Sequence, residues 1–381
     1  MKGFLSLLFG RRFEAVRCRG PSRWSAGELT LVYLGKGESL AWLKALLFAA
    51  EPASEVLGRY NLLELCCGFG SRLAAPVRVR ELTHPLARLL RWRAAWTLAD
   101  WVESTLDLHG DWTAVLARFR RSTVSRDLPR VERCGFTTEI AIGKDVLNDF
   151  YERLYLPLMT QRHGEAGVIV GRDWLLARAA SHRLFRVLHG GRCVAAAFFT
   201  SEGEELNWIL VGMATDFDLP ERRHLLAALY LGMIRHAHDN GHTLLRLGTT
   251  RPLLRDGVYL HKRKWGARVE TSPQSETRLL FDCELADPHV RQWLQACPFI
   301  VAKAHDLRVL AFCFTPSALD GVLGQIRESL TPGLQGIDLV TDSGIGSLPE
   351  TIEDLPVREM MLSHANEEHT FPGRTERRHS A

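Results

Sequence analysis

HRLFRVLHG (182–190), RCVAAAFFTSEG (192–203) and ELNWILVGMA (205–214) follow one another with only a glycine pair and Glu202-Gly203-Glu204 between them. Each run is aliphatic and aromatic and each gap carries a turn signal, which predicts a meander of three antiparallel strands. Residues 219–240 then predict a helix: Asp218 and Glu221 stand three apart like a capping box, Pro220 sits in the first turn, apolar residues recur at 225, 229, 233 and 237, and Gly241 closes the end. LLRLG (244–248) returns to a strand. A helix between two strands of one sheet calls for a right-handed crossover, so the sheet is expected to be mixed, with helices on its faces.

The pattern extends to both sides. Upstream lie a strand WVESTLDL (101–108), a helix DWTAVLARFRRSTVSRDLPRVERCG (111–135), a strand FTTEIAIG (136–143) and a helix DVLNDFYERLYLPLMTQRHG (145–164). In the last, Leu147, Phe150, Leu154 and Leu158 share a side, and Pro157 is expected to kink or end it. Downstream, DGVYLHKRKWGARVE (256–270) holds a short helical segment before a strand RLLFDCEL (278–285).

Residues 26–108 predict another α/β unit, with strands at LTLVYL (29–34), YNLLELCCGFG (60–70) and PVRVREL (76–82) and helices at 39–50 and near 84–96. LLELCCGFG is similar to the glycine turn of methyltransferases that use S-adenosylmethionine. That site needs a helix straight after the glycines and an acid about 20 residues on. Pro76 follows Gly70 within six residues and Glu81 comes eleven after it, so a plain strand and turn is the reading. Beyond 285 a helix (287–297), a strand (307–314), a helix (316–330) and a strand (336–341) are expected, and the polar stretch from Ser343 reads as disordered. The expected organisation is an N-terminal extension (1–25), a shortened accessory half (26–108), a principal domain (109–285), a strand-helix-strand extension (286–342) and a disordered tail (343–381).

Composition bounds the rest. A length of 381 residues gives about 2.5 on a 150-residue domain prior, and 46% apolar with 24% charged residues marks a globular chain. A net charge of +4 is too slight to imply nucleic acid, and DNA is not an expected partner. Seven of the 48 basic residues are Lys, so arginine clusters carry little weight and each lysine slightly more. Eight dispersed cysteines without a CxxC pair suit reduced thiols in the cytoplasm, and no apolar run approaches the roughly 18 residues that span a bilayer. MKGFLSLLFGRRF (1–13) is too short an apolar run for a signal-peptide core; it reads as a terminus packing Phe4 and Leu8, or as a peripheral membrane contact.

Three segments, in this order and spacing over about 170 residues, carry a family resemblance: VESTLDL with FRRSTVSRDLPRVERCG, TQRHG (160–164) and DGVYLHKRKWGA (256–267). The chain resembles the GNAT acyltransferase superfamily, and within it the FemAB-like branch with the acetyltransferases of polysaccharide biosynthesis. The resemblance implies a GNAT-like α/β fold in which two central strands splay around an acyl carrier, with residues 26–108 as a degenerate first half. It implies acyl transfer from acyl-CoA to an amine on a small molecule, sugar intermediate or peptide, by direct transfer and without a metal. The Arg-x-x-Gly-x-Gly loop that holds coenzyme A in many relatives is missing, and FDLPERRHLL (217–226) stands in its place. A non-catalytic binding protein of the same fold, and aminoacyl transfer from aminoacyl-tRNA, therefore stay open.

Direct acyl transfer needs a free amine, donors for the carbonyl oxygen and a proton for the leaving group. Lys262 matches the Lys of the family's closing segment and is ranked first for the reacting centre, ahead of Lys264 and of Arg263, which would alternate away from it were the segment extended. Arg162 matches a recurrent Arg and would clamp an anionic substrate; Arg222 and Arg223 open the crossover helix and are assigned the donor phosphates. Glu205 and Asp256 are candidates for the base, Asn207 for substrate contact and Tyr259 for protonating a leaving thiolate. His236, His238 and His242 look like a metal cluster, but 236 and 238 point to different sides of a helix.

Overall fold

Gly190 and Gly191 take φ of 56° and 76°, conformations that other residues resist, and reverse the chain between β8 (Arg183–His189) and β9 (Arg192–Glu202). Gly203, at 59°, does the same before β10 (Glu205–Met213). In a computed structural model that describes residues 13–61, 64, 73–90, 94, 96–163, 169–217, 220–272, 275–303, 306–342 and 348–361, this meander is the middle of a seven-stranded sheet. With β6 (Val102–Asp107), β7 (Thr137–Ala141), β11 (Leu244–Thr250) and β12 (Arg268–Thr271) the order is β12-β6-β11-β10-β9-β8-β7. Only β10 and β11 run parallel, as a crossover requires.

That crossover is α8 (Leu225–Asp239), preceded by a 3₁₀ turn Pro220–His224. Leu229, Met233 and Ala237 are fully buried against the sheet. Asp218 of the expected capping box lies outside the described residues. The other face is covered by α5 (Lys144–Phe150) and α6 (Leu156–His163), with the short α7 (Arg172–Leu176) packed on α5. Phe185 aligns across Ala197 with Val211 on the α8 side, so Gly212 faces away, where an added Cβ would lie 2.7 Å from Phe150 and 2.8 Å from Leu154. The glycine lets that helix close on the strand.

Pro157 does not end the run: a π turn, Tyr151–Tyr155, joins α5 to α6 just before it, and α6 continues through it. The 111–135 helix is likewise broken into α3 (Trp112–Ala117), a π turn Thr123–Asp127 and α4 (Leu128–Arg133), the π turn again ending two residues before a proline, Pro129. A proline has no N–H to donate and its ring clashes with the carbonyl four residues back; a widened turn relieves both problems.

The first sheet has the order β3-β1-β2-β4-β13-β5, from β1 (Phe13–Pro21), β2 (Glu28–Gly35), β3 (Ala53–Tyr60), β4 (Val77–Thr83), β5 (Trp96–Ala99) and β13 (Thr277–Cys283). It thus draws strands from beyond both 26 and 108. Most of the LLELCCGFG segment lies outside the described residues. α1 (Leu40–Leu47) and α10 (Pro288–Ala296) pack on one face and α2 (His84–Leu90) on the other. Two antiparallel pairs, β5 with β13 and β6 with β12, carry the chain between the first sheet and the seven-stranded one.

A third sheet, β14-β15-β16-β18-β17, combines β14 (Phe299–Lys303), β15 (Asp306–Cys313), β16 (Leu334–Thr341), β17 (Thr351–Ile352) and β18 (Leu355–Met361), with α11 (Leu319–Ser329) as the crossover between β15 and β16. The expected disorder from Ser343 is corrected for the described residues 348–361, since β18 pairs parallel with β16; the remainder of 343–381 lies outside the described residues. The β18 signal was weak because Met360 is the only β18 residue that is buried.

Candidate functional site

β10 and β11 pair only over Glu205–Asn207 and Leu244–Arg246, then part. A bulge between Trp208 and Leu210 turns β10 aside, and the Trp208 indole N–H donates to the Leu210 carbonyl at 2.9 Å. At the C-terminal ends of these parallel strands, where open sheets commonly receive ligands, lies a cleft of about 600 Å³. Its floor is Met213, Ala214 and Thr215, and the first turn of α8 forms one wall. Its N-cap, His224, makes no side-chain capping bond, which leaves the positive end of a fifteen-residue helix uncapped by its own side chain.

Cations surround this end. Arg222 and Arg223 come from the 3₁₀ turn, Gln161 and Arg162 from the end of α6, and Lys264 from just beyond α9 (Gly257–Arg263). Among the described residues Arg162, Arg222 and Arg223 have no carboxylate ion pair, whereas Lys264 pairs with Asp127 at 3.1 Å. Burial, and then the nearby Arg222, depress the pKa of Arg162. Such crowding favours an anion between them.

His261 also lines the cleft, and Trp265 Nε1 donates to its Nε2 at 3.3 Å, which assigns the ring proton to Nδ1. Burial and the charge of Lys264 lower its pKa to about 3, so the ring stays neutral. The site is therefore a cation-lined cleft with one neutral imidazole donor.

Of the eight residues expected from sequence, the structure brings Arg162, Arg222 and Arg223 into this cleft and leaves the others out. Lys262 is 3% exposed and donates to the carbonyls of Gly248 (2.7 Å) and Thr249 (3.0 Å), holding the parted end of β11. Desolvation lowers its pKa to about 7, against the opposing pull of Asp256 and Glu103. The segment is the short helix expected, and its turn places His261 and Lys264, three apart, on the cleft side that sequence reasoning gave to Lys262.

Asp256 caps α9, accepting from Val258 N (3.0 Å) and Tyr259 N (2.9 Å). Tyr259 is buried and its hydroxyl donates to the Ser329 carbonyl at 2.7 Å. Glu205 pairs with Arg246 at 2.7 Å at the opposite end of the nine-residue β10, roughly 27 Å from the cleft, and Asn207 lies near that end. Gln161, Thr215, His261 and Lys264 were missed. For the last two the signal was present: an Asp256 N-cap starts a helix, and helical spacing then groups 261 with 264.

Among the described residues no group of three His, Cys, Asp or Glu could hold a metal. His236 packs against Phe185 and Phe199, and His238 bonds the Gly110 carbonyl at 3.1 Å. Among the described residues six cysteines, including Cys18 and Cys313, are free. No described helix is long and apolar enough to cross a membrane.

No protein-family model matches the chain, and no curated protein does. Solved structures similar to it include the C-terminal DUF2156 domain of a protein named for lysylphosphatidylglycerol synthetase, from Agrobacterium fabrum, at 16% identity over 73% of this chain and 83% of that one, with a TM-score of 0.34. FemX is similar at 13% identity over 66% and 80%, TM-score 0.37. The PaiA N-acetyltransferase of Thermoplasma acidophilum, in complex with coenzyme A, is similar at 10% identity over 39% and 99%, TM-score 0.25. At these scores the likeness carries no functional argument, which falls to the cleft itself.

Proposed function

We propose that the chain is an N-acyltransferase that binds a phosphate-bearing acyl donor, acyl-CoA in the first instance, in the cleft between β10 and α8 and passes the acyl group directly to an amine. The observation that carries this reading is the gathering of Arg162, Arg222 and Arg223 at the uncapped start of α8, where β10 and β11 part. In the reaction the amine nitrogen bonds the carbonyl carbon and the thioester C–S bond breaks. The amine gives up a proton and the thiolate takes one. Negative charge grows on the carbonyl oxygen, and the neutral His261 Nδ1–H and the Lys264 ammonium are the donors available to it.

A second reading, a binding protein without catalysis, has its own support: Lys262, Asp256, Tyr259 and Glu205 all commit their polar atoms to backbone groups or to Arg246. Aminoacyl-tRNA is the alternative donor. The free cysteines agree with a cytoplasmic setting, and the acceptor would sit on a small molecule, sugar or peptide.

Thermal unfolding with acetyl-CoA, a long-chain acyl-CoA and aminoacyl-tRNA tests this. A true donor adds about 2.7 kcal/mol at a hundredfold excess over its Kd. The gain is expected for wild type and should largely vanish in Arg222→Ala/Arg223→Ala. Product formation separates the enzyme from the binding protein. If no donor shifts the wild type, the reading falls.

A further inference from the structure

Carbonyls at the C-terminal end of a helix have no partner within it and need donors from elsewhere. At the end of α11 those donors come from the unit that carries the donor cleft. The Glu328 carbonyl accepts from Arg120 Nη2 at 3.3 Å, the Ser329 carbonyl from the Tyr259 hydroxyl at 2.7 Å and the Leu330 carbonyl from Arg263 Nε. Two residues on, the Pro332 carbonyl accepts from the Val269 N–H of β12 at 3.0 Å. Gly333, at φ of 96°, then passes so close to the Val269 carbonyl that a Cβ has no room.

These contacts converge on α9. Tyr259 and Arg263 are four apart and share one side of it, while His261 and Lys264, three apart, share the side that lines the cleft. Arg120 ties the two helix ends together, since its own N–H donates to the Lys264 carbonyl at 3.0 Å and its guanidinium to Glu328. Both ends present bare carbonyls and so carry partial negative charge, which the guanidinium groups of Arg120 and Arg263 offset where the ends meet.

α9 depends on such support. It has seven residues, below the roughly 12–15 at which an isolated helix holds itself in water. Asp256 caps its start and Lys262 ties it to the end of β11. The end of α11 supplies the remaining hold, on the side turned away from the cleft.

We propose that α11 works for the cleft: its C-terminal end fixes α9, and Tyr259 and Arg263 are positioning residues for His261 and Lys264. The third sheet then belongs to the acyl-transfer unit through this one helix end. The assignment rests on the acyl-transfer reading for what the cleft holds, and on the carbonyl contacts for the hold itself.

The test compares wild type with Tyr259→Phe, which loses only the hydroxyl, with Arg263→Met and with Arg263→Lys, each shown to be folded by circular dichroism. Hydrogen exchange is read by mass spectrometry, and acetyl-CoA is titrated by calorimetry. In Tyr259→Phe and Arg263→Met the amides of residues 257–266 are expected to exchange faster while those of α8 keep their rates. Acetyl-CoA is expected to bind these two variants about tenfold more weakly, and Arg263→Lys to restore most of both effects. A contact that serves stability alone would leave the affinity of the folded protein where it was. Unchanged affinity, or exchange that quickens along the whole chain, would overturn the assignment. Absence of acetyl-CoA binding by wild type would remove the acyl-CoA reading, and exchange alone would then decide the hold: faster exchange confined to α9 keeps it, and wild-type rates in both variants overturn it.

Discussion

Lys262 and Lys264 are two residues apart and serve different neighbours, because a helix turns them about 200° from each other. Lys264 reaches the cleft and Asp127, whereas Lys262 is sealed against the Gly248 and Thr249 carbonyls. Burial lowers the Lys262 pKa from 10.5 to about 7, so between these values the folded chain binds fewer protons than the unfolded one. Stability contributed through this group then rises with pH across that window, by at most about 1.4 kcal/mol per unit. Tyrosines and cysteines titrate in the same region, so the measurement is a difference: urea unfolding of wild type against Lys262→Met from pH 7 to pH 10. The wild-type curve is expected to climb relative to the variant, and parallel curves would show that the lysine titrates normally. His261, lowered to about 3, should contribute no break near pH 6.5 in an activity profile, and His261→Ala should lower turnover more than donor binding.

α9 shows what a single capping residue does for the site. Asp256 accepts two N–H bonds at its start, and at its end Gly266 holds φ of 79° with the Arg118 carbonyl 2.4 Å from where a Cβ would stand. Asp256→Ala is expected to cost about 1–2 kcal/mol, read by chemical denaturation, and to weaken donor binding because His261 and Lys264 lose their fixed placement. A variant as stable as wild type would show that the cap is dispensable. The meander and α8 were legible in the sequence because turn glycines, period and apolar spacing all agreed over 182–240. The cleft was half legible, since Arg222 and Arg223 sit at a helix start, a local feature. Lys262 was misplaced because the seven-residue α9, though expected as a helix, is too short to display a period that would say which of its cations faces the cleft. The π turns were hidden as well: a proline reports that the α pattern must yield, but not whether the chain bends, stops or widens.

At the scale of the molecule, the three sheets are joined through aromatic packing as well as through the chain. Trp96 of β5 stands 5.9 Å from Phe281 of β13, 6.5 Å from Phe299 of β14 and 5.2 Å from Phe312 of β15, so the first and third sheets share one core. β5 is also the strand that leads through Asp100 and Trp101 into β6 and on to the sheet that carries the cleft. Loosening Trp96 should therefore be felt in both places. Trp96→Ala removes a 3%-exposed indole and is expected to cost about 3–5 kcal/mol. If the sheets form one cooperative unit, denaturation followed by far-ultraviolet circular dichroism and by tryptophan fluorescence will shift together to lower urea in a single transition. If the seven-stranded sheet is independent, the variant will instead show two transitions, with donor-dependent stabilisation confined to the later one, and the coupling argued from the shared core is wrong.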